Sequence, residues 1–179
     1  MRREHLQQRV RRRRQRGVTL IELMLVAMVA TALLVVAVPS FMDMVVRHRL
    51  ASATNDFVLD LMLARSEALR RGGPVTICAS SDGTSCTATP WEQGRLVFSD
   101  PANPNVVDAG EEIVKVSGAL AVGDTLAASA GATAIRFLGD GSVAAARVFT
   151  TCRAGHLGSQ VSVRRVGFVS TAPASYLCP

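Results

Sequence analysis

Residues Gly17 to Val38 read GVTLIELMLVAMVATALLVVAV, and the reading of this stretch decides the architecture. Val18–Val38 is a run of 21 residues whose one charged side chain is Glu22. About 20 residues at ~1.5 Å rise each cover the ~30 Å hydrocarbon core of a bilayer, so the run is long enough to cross a membrane as a helix. A carboxylate inside such a helix costs roughly 2.5–3.5 kcal/mol at mid-membrane and less near the interface, so Glu22 calls for a partner. Immediately upstream stands RRRRQR, Arg11 to Arg16. Such a basic flank holds that end in the cytoplasm and sends everything beyond Val38 to the other side.

The same leader explains the charge. Residues 1–17 carry eight arginines against one glutamate, whereas residues 18–179 carry 12 basic and 13 acidic side chains. The net charge of +6 therefore belongs to the leader, and it gives no global argument for nucleic acid. Cys78, Cys86, Cys152 and Cys178 all follow the hydrophobic segment and are expected in an oxidising compartment, where disulfides persist. Four cysteines allow three pairings. Cys78–Cys86 and Cys152–Cys178 are favoured because each closes a local loop of hairpin or tail size. The spacings do not fit a zinc knuckle, and no metal or cofactor is expected.

Downstream, helix is expected to continue, with a kink or local melting at Pro39, which lacks an amide donor. Leu50, Ala53, Phe57, Leu61, Ala64 and Ala68 recur at spacings of three and four. Arg49, Asp56, Asp60, Arg65 and Arg70 are expected mostly on other faces. Arg70-Arg71-Gly72-Gly73-Pro74 is a helix stop. After Pro74 come short strand-like runs: Val75–Ala79, Trp91–Ser99, Glu111–Ser117, Gln160–Val166 and Phe168–Ser170. Ile135–Leu138 and Val143–Thr151 flank Gly139-Asp140-Gly141-Ser142, a hairpin signal. Residues 119–133, rich in Ala, Gly and Ser, stay unassigned. The expected fold is α+β, a long N-terminal helix packed on an antiparallel β domain. Its segments are a leader (1–17), a membrane or filament-core helix (18–38), an amphipathic continuation (39–73) and a periplasmic β domain (74–179).

A basic leader, then Gly17, then a hydrophobic run with glutamate as its fifth residue resembles the prepilin-peptidase site of type IV pilins and type II secretion pseudopilins. The resemblance implies cleavage between Gly17 and Val18, where a residue without Cβ lets a protease approach the backbone. It also implies N-methylation of Val18, pairing of Glu22 with the N-terminal amine of a neighbouring subunit to set register, and a helix-breaking role for Pro39. Val18 departs from the phenylalanine usual at that position. Ser66-Glu67-Ala68, Arg70-Arg71-Gly72 and Pro74-Val75-Thr76-Ile77-Cys78 resemble the GspH/FimT group of minor pseudopilins and minor pilins. So do Trp91, Gly94, Val97-Phe98, Asp100, Gly110-Glu111-Glu112, and Phe137 with Gly139 and Gly141.

Some FimT-type minor pilins bind DNA through a C-terminal Gly-Arg-x-Arg element. Here the corresponding region is Arg164-Arg165-Val166-Gly167-Phe168-Val169-Ser170, in which Phe168 and Ser170 replace the arginines after the glycine. Arg164 and Arg165 are candidate phosphate contacts. In a regular strand adjacent residues point to opposite faces, so the favoured reading is a solvated edge that discourages strand pairing. His5, His48 and His156 form no catalytic set, and an enzyme is not expected.

The resemblance thus implies a minor pilin or pseudopilin held in the inner membrane until its incorporation into a filament. Its expected partners are the prepilin peptidase, other major and minor (pseudo)pilins and the inner-membrane assembly platform. DNA is an alternative, less favoured partner in natural transformation.

Overall fold

The computed structural model describes residues 17–178. The leader expectation therefore lies, apart from Gly17, outside the described residues. One α-helix, α1, spans Leu20–Arg71 and includes Pro39. Proline removes the donor that would meet the Val35 carbonyl, yet the local melting expected at Pro39 does not interrupt the helix. The chain divides into two compact units, Met1–Asp43 and Met44–Pro179.

In the first unit α1 is exposed, and from Leu23 to Val38 its side chains are apolar on every face apart from Thr31. A helix without a polar face has no preferred side to turn to water and is stable only among lipids or like helices.

In the second unit the rest of α1 packs with eight strands in two four-stranded antiparallel sheets. The strands are β1 (Val75–Ala79), β2 (Arg95–Ser99), β3 (Ile113–Ser117), β4 (Asp124–Ala128), β5 (Ala134–Phe137), β6 (Arg147–Arg153), β7 (Leu157–Val163) and β8 (Val169–Leu177). Their spatial orders are β3-β2-β1-β5 and β4-β6-β7-β8. The main core gathers Phe57, Leu61, Ala64 and Ala68 of α1 with Val75, Ile77 and Val97 of the first sheet. It is completed by Leu126, Phe149, Val161 and Val163 of the second. Phe57, Trp91 and Phe149 meet edge to face with ring centroids 4.7–5.7 Å apart. Trp91 also donates its indole N–H to the Ala132 carbonyl at 2.6 Å, so its one polar atom is satisfied.

All of β1 is buried, although the sheet is antiparallel. Val75 and Ile77 face the main core, whereas Cys78 joins a second cluster with Leu96 and Phe98. That outer face is covered by a loop that the Cys78–Cys86 disulfide ties down. Cys152 and Cys178 form the second disulfide, which fastens the chain end to β6.

Several local expectations are corrected. Thr54 is buried where Ala53 was expected, because its hydroxyl bonds the Leu50 carbonyl (2.8 Å) and the Thr151 hydroxyl (2.7 Å). Asp60, expected on a solvent face, is fully buried. The run Trp91–Ser99 is a 3-10 turn, Trp91–Gln93, followed by β2, because Gly94 at φ 137° breaks the extended path. Residues 119–133 contain β4 and a second 3-10 turn. At Gly139–Ser142 the turn closes, with the Leu138 N–H donating to the Ser142 carbonyl at 2.8 Å. Only Phe137 and Val143 pair beyond it, however, and the chain then crosses to the other sheet instead of completing a hairpin.

Candidate functional site

The first candidate lies at the start of α1. Thr19 caps the helix: its carbonyl accepts the N–H groups of Glu22 (3.1 Å) and Leu23 (3.2 Å), and its hydroxyl accepts Glu22 N–H at 3.3 Å. The spacing Thr19-x-x-Glu22 is that of a capping box, which puts the carboxylate in the first turn, where the positive end of the helix dipole favours a negative charge. The capping role of Thr19 is not among the sequence-based expectations, although the Thr-x-x-Glu spacing signals it. Gly17 and Val18 precede the helix and are exposed, and among the described residues beyond its chain neighbours no atom stands within 4 Å of where a Cβ on Gly17 would be. Further along, Thr31 returns its hydroxyl to the Ala27 (3.0 Å) and Met28 (2.9 Å) carbonyls, so it demands no partner outside the helix.

In the second unit the main polar cluster is structural. Asp60 accepts Arg95 Nε–H at 2.9 Å and Ser117 O–H at 3.0 Å, and Lys115 Nζ lies 2.6 Å from its other oxygen. These contacts join α1 to β2 and β3. At the helix end Glu67 pairs with Arg70 (2.5 Å) and Arg71 (2.9 Å), and Arg71 continues to Glu112 (2.8 Å). The hydrogen bond from Arg70, followed by that from Arg71, holds the Glu67 carboxyl at about 2. Arg71 likewise depresses Glu112. On the first sheet the Asp100 carboxylate accepts the Thr76 hydroxyl (2.5 Å) and the Asn105 N–H (3.0 Å), and Arg136 Nε lies 3.3 Å away. Every cation in these groups is paired with a carboxylate, so the groups tie α1 to the first sheet and its loops.

Arg164 and Arg165 lie in the turn between β7 and β8, and both are exposed. The premise that they alternate across a strand is therefore corrected. Arg164 N–H donates to the Phe168 carbonyl at 2.9 Å, and its guanidinium sits 5.8 Å from the Phe168 ring centroid. Arg147 stands opposite Val163, one residue before Arg164. Arg65 reaches from α1 to the Gly141 (3.1 Å) and Val166 (3.0 Å) carbonyls. Among the described residues none of these four arginines has a carboxylate within salt-bridge distance. Nor does any group of three His, Cys, Asp or Glu residues among them have metal-binding geometry.

Residues 53–167 match the profile of the type II transport protein GspH, and residues 12–38 match the prokaryotic N-terminal methylation motif. Among solved structures, the type IV minor pilin FimU of Pseudomonas aeruginosa superposes with a TM-score of 0.60 at 21% identity. That likeness covers 73% of this chain and 92% of that one. The minor pseudopilin EpsH from the type 2 secretion system of Vibrio cholerae gives 0.50 at 15% identity, covering 68% and 94%. At these identities the structural likeness speaks for the fold. No curated protein matches the chain in sequence.

Proposed function

The chain belongs to the GspH family of type II transport proteins and is a minor subunit of a type IV pilus or a type II secretion pseudopilus; we propose that it acts there in filament initiation, assembly or at the tip. The observation that carries this reading is the family match over residues 53–167, joined to the methylation motif over residues 12–38.

On this reading residues 1–17 are the leader, and the peptidase cuts between Gly17 and Val18 and methylates Val18. The helix over 18–38 waits in the inner membrane with the β domain in the periplasm. In the filament it packs among like helices. Lipid tails are as apolar as those helices, so assembly draws on close packing and on polar contacts rather than on a net hydrophobic gain. Glu22 supplies the polar contact, pairing with the Val18 amine of a neighbour and neutralising a charge that the apolar surroundings would penalise. Other (pseudo)pilins and the assembly platform are its partners. The test is the mass of the N-terminus of membrane-expressed protein with and without a prepilin peptidase. A start at Val18, one methyl heavier, only with the peptidase is expected. A Met1 start despite active peptidase overturns the processing.

A second reading, DNA contact during uptake, draws on one observation: Arg164 and Arg165 share an exposed turn, with Arg147 one strand away. Phosphates bind such clusters with strong salt dependence. If this reading holds, Arg164→Ala with Arg165→Ala lowers DNA affinity and flattens its salt slope. No DNA binding at low salt dismisses it.

A further inference from the structure

The second sheet ends in two edges of opposite character. The β4 edge is closed: Asp124 N–H donates to the Ala121 carbonyl (2.9 Å) and Leu126 N–H to the Glu92 carboxylate (3.4 Å). Among the described residues the far side of β8 has no strand beside it. Its register with β7 shows which groups face outward. Arg164 N–H donates to the Phe168 carbonyl, so that pair is hydrogen-bonded. Bonded and non-bonded pairs alternate along an antiparallel ladder. Ser162/Ser170 and Gln160/Ala172 are then bonded pairs, whereas the N–H and C=O groups of Val169 and Thr171 point away from β7. Pro173, opposite Ser159, falls in the same outward set, where a strand tolerates a missing donor. Among the described residues nothing accepts the Val169 or Thr171 amides.

Natural edges are blunted by charge, brevity, bulges or cover. Strand β3 is five residues long with an irregular pairing to β2, and β5 has four residues. By contrast β8 runs for nine residues, VSTAPASYL, without a charged side chain. Pro173, and the register shift between the Ser159/Pro173 and Leu157/Leu177 pairs, confine the free stretch to Val169–Pro173. Beside it opens a groove of about 300 Å³, lined by Ala51, Thr54, Asn55, Ser159, Thr171 and Pro173, all small or neutral. At its hairpin end stand Arg164 and Arg165, exposed and without carboxylate partners among the described residues.

We infer that the free edge Val169–Pro173 accepts an added β-strand: an extended, uncharged peptide segment of a partner, running antiparallel to β8 and ending in a carboxylate beside Arg164 and Arg165. The outward amides and carbonyls supply the pairing, the groove admits only small or β-branched side chains on the inner face, and the two arginines set the direction. The inference stands on the geometry of this domain alone and does not depend on which filament the chain enters.

The test uses the full-length protein in detergent micelles and the synthetic peptide acetyl-Thr-Val-Thr-Val-Asp with a free C-terminal carboxylate, with amide exchange read residue by residue by NMR. The peptide is expected to slow exchange at Val169 and Thr171 and to leave Ser170, already bonded to Ser162, unchanged. Thr171→Pro removes one outward donor without touching the β7–β8 bonds, and it abolishes the protection at Val169. Amidating the peptide's C-terminus and its Asp side chain, or replacing Arg164 and Arg165 by Ala, weakens binding roughly fivefold, the scale of an exposed ion pair. If Thr171→Pro unfolds the domain, Thr171→Lys serves instead, since it keeps the amide and guards the edge with charge, and it too must weaken binding. No protection at Val169 with millimolar peptide, or unchanged binding by a folded Thr171 variant, overturns the inference.

Discussion

Asp60 of α1 and Arg95 of β2 form an ion pair at 2.9 Å in which the side chains are 1% and 3% exposed. Buried charges of this kind are worth little against an apolar pair of the same shape, but losing one partner strands the other. Asp60→Ala is therefore expected to lower the unfolding free energy by about 3–5 kcal/mol, because Arg95 and Lys115 keep their charges without a counter-ion. Asp60→Leu combined with Arg95→Met is expected to recover most of the loss. Urea unfolding of the full-length protein in micelles, followed by the fluorescence of Trp91, the single tryptophan, measures both variants. A loss below about 1 kcal/mol for Asp60→Ala, the value of a surface pair, would mean that water reaches the site.

Glu67 governs part of the acid sensitivity of the helix end. Its folded value of about 2 lies below the 4.5 of the free side chain. The stabilisation it brings is thus fully present above the unfolded value and is lost as the pH falls through the folded one. Between pH 4.5 and about 2 the domain is expected to lose stability progressively as Glu67 protonates and releases Arg70 and Arg71. Glu67→Gln should flatten that part of the curve without changing stability's dependence above it. Parallel acid titrations of the two proteins decide the matter, and superimposable slopes over this window count against the assignment.

Thr19 sets the first turn of α1. Replacing it with Ala removes the hydroxyl that accepts Glu22 N–H, a loss of about 1 kcal/mol by the usual scale of N-caps. Faster amide exchange at Leu20 to Leu23 in micelles is expected, with Thr19→Ser close to the parent. Equal exchange in Thr19→Ala and the parent would show the cap to be idle.

Gly167 occupies φ +74°, and a Cβ there would run into the Gly141 carbonyl and crowd Arg65 Nε at 2.8 Å. Gly167→Ala pays both for the backbone conformation and for separating two turns that Arg65 holds together. A loss of about 2–3 kcal/mol in the same unfolding assay is expected, at the upper end of ordinary point substitutions. Gly155→Ala, also at positive φ but with nothing within 4 Å among the described residues, isolates the backbone part and should cost less.

The two disulfides are expected to differ in weight. Chain-entropy arguments assign roughly 3.5 kcal/mol to a loop of the size closed by Cys152–Cys178 and roughly 2.5 kcal/mol to that closed by Cys78–Cys86. Those loops follow from sequence separations of 26 and 8. Ala replacements of each pair, compared in urea, give the order. The reverse order would point to packing of Cys78 in its buried cluster as the larger effect.

How much was legible from the chain follows the range of the interactions involved. Composition and local spacing determined the long apolar helix, the isolated Glu22, the helix stop at Arg70–Pro74 and the β character after it, because each rests on neighbours within a few residues. The capping pair Thr19 and Glu22 is equally local, a Thr-x-x-Glu spacing within one turn. Only the tertiary structure decided what Asp60 does. Its helical position looked polar and exposed until Arg95, Lys115 and Ser117 arrived from strands 35 to 57 residues away. It alone decided that the chain leaves the turn after Phe137 for a second sheet, that Arg164 and Arg165 share a turn, and that one side of β8 is left without a neighbour. Hydrophobic periodicity says that a face is covered. Which distant strand covers it, and which edge stays open, depends on how the two sheets close around Phe57, Trp91 and Phe149, a competition among long-range contacts that no local pattern encodes.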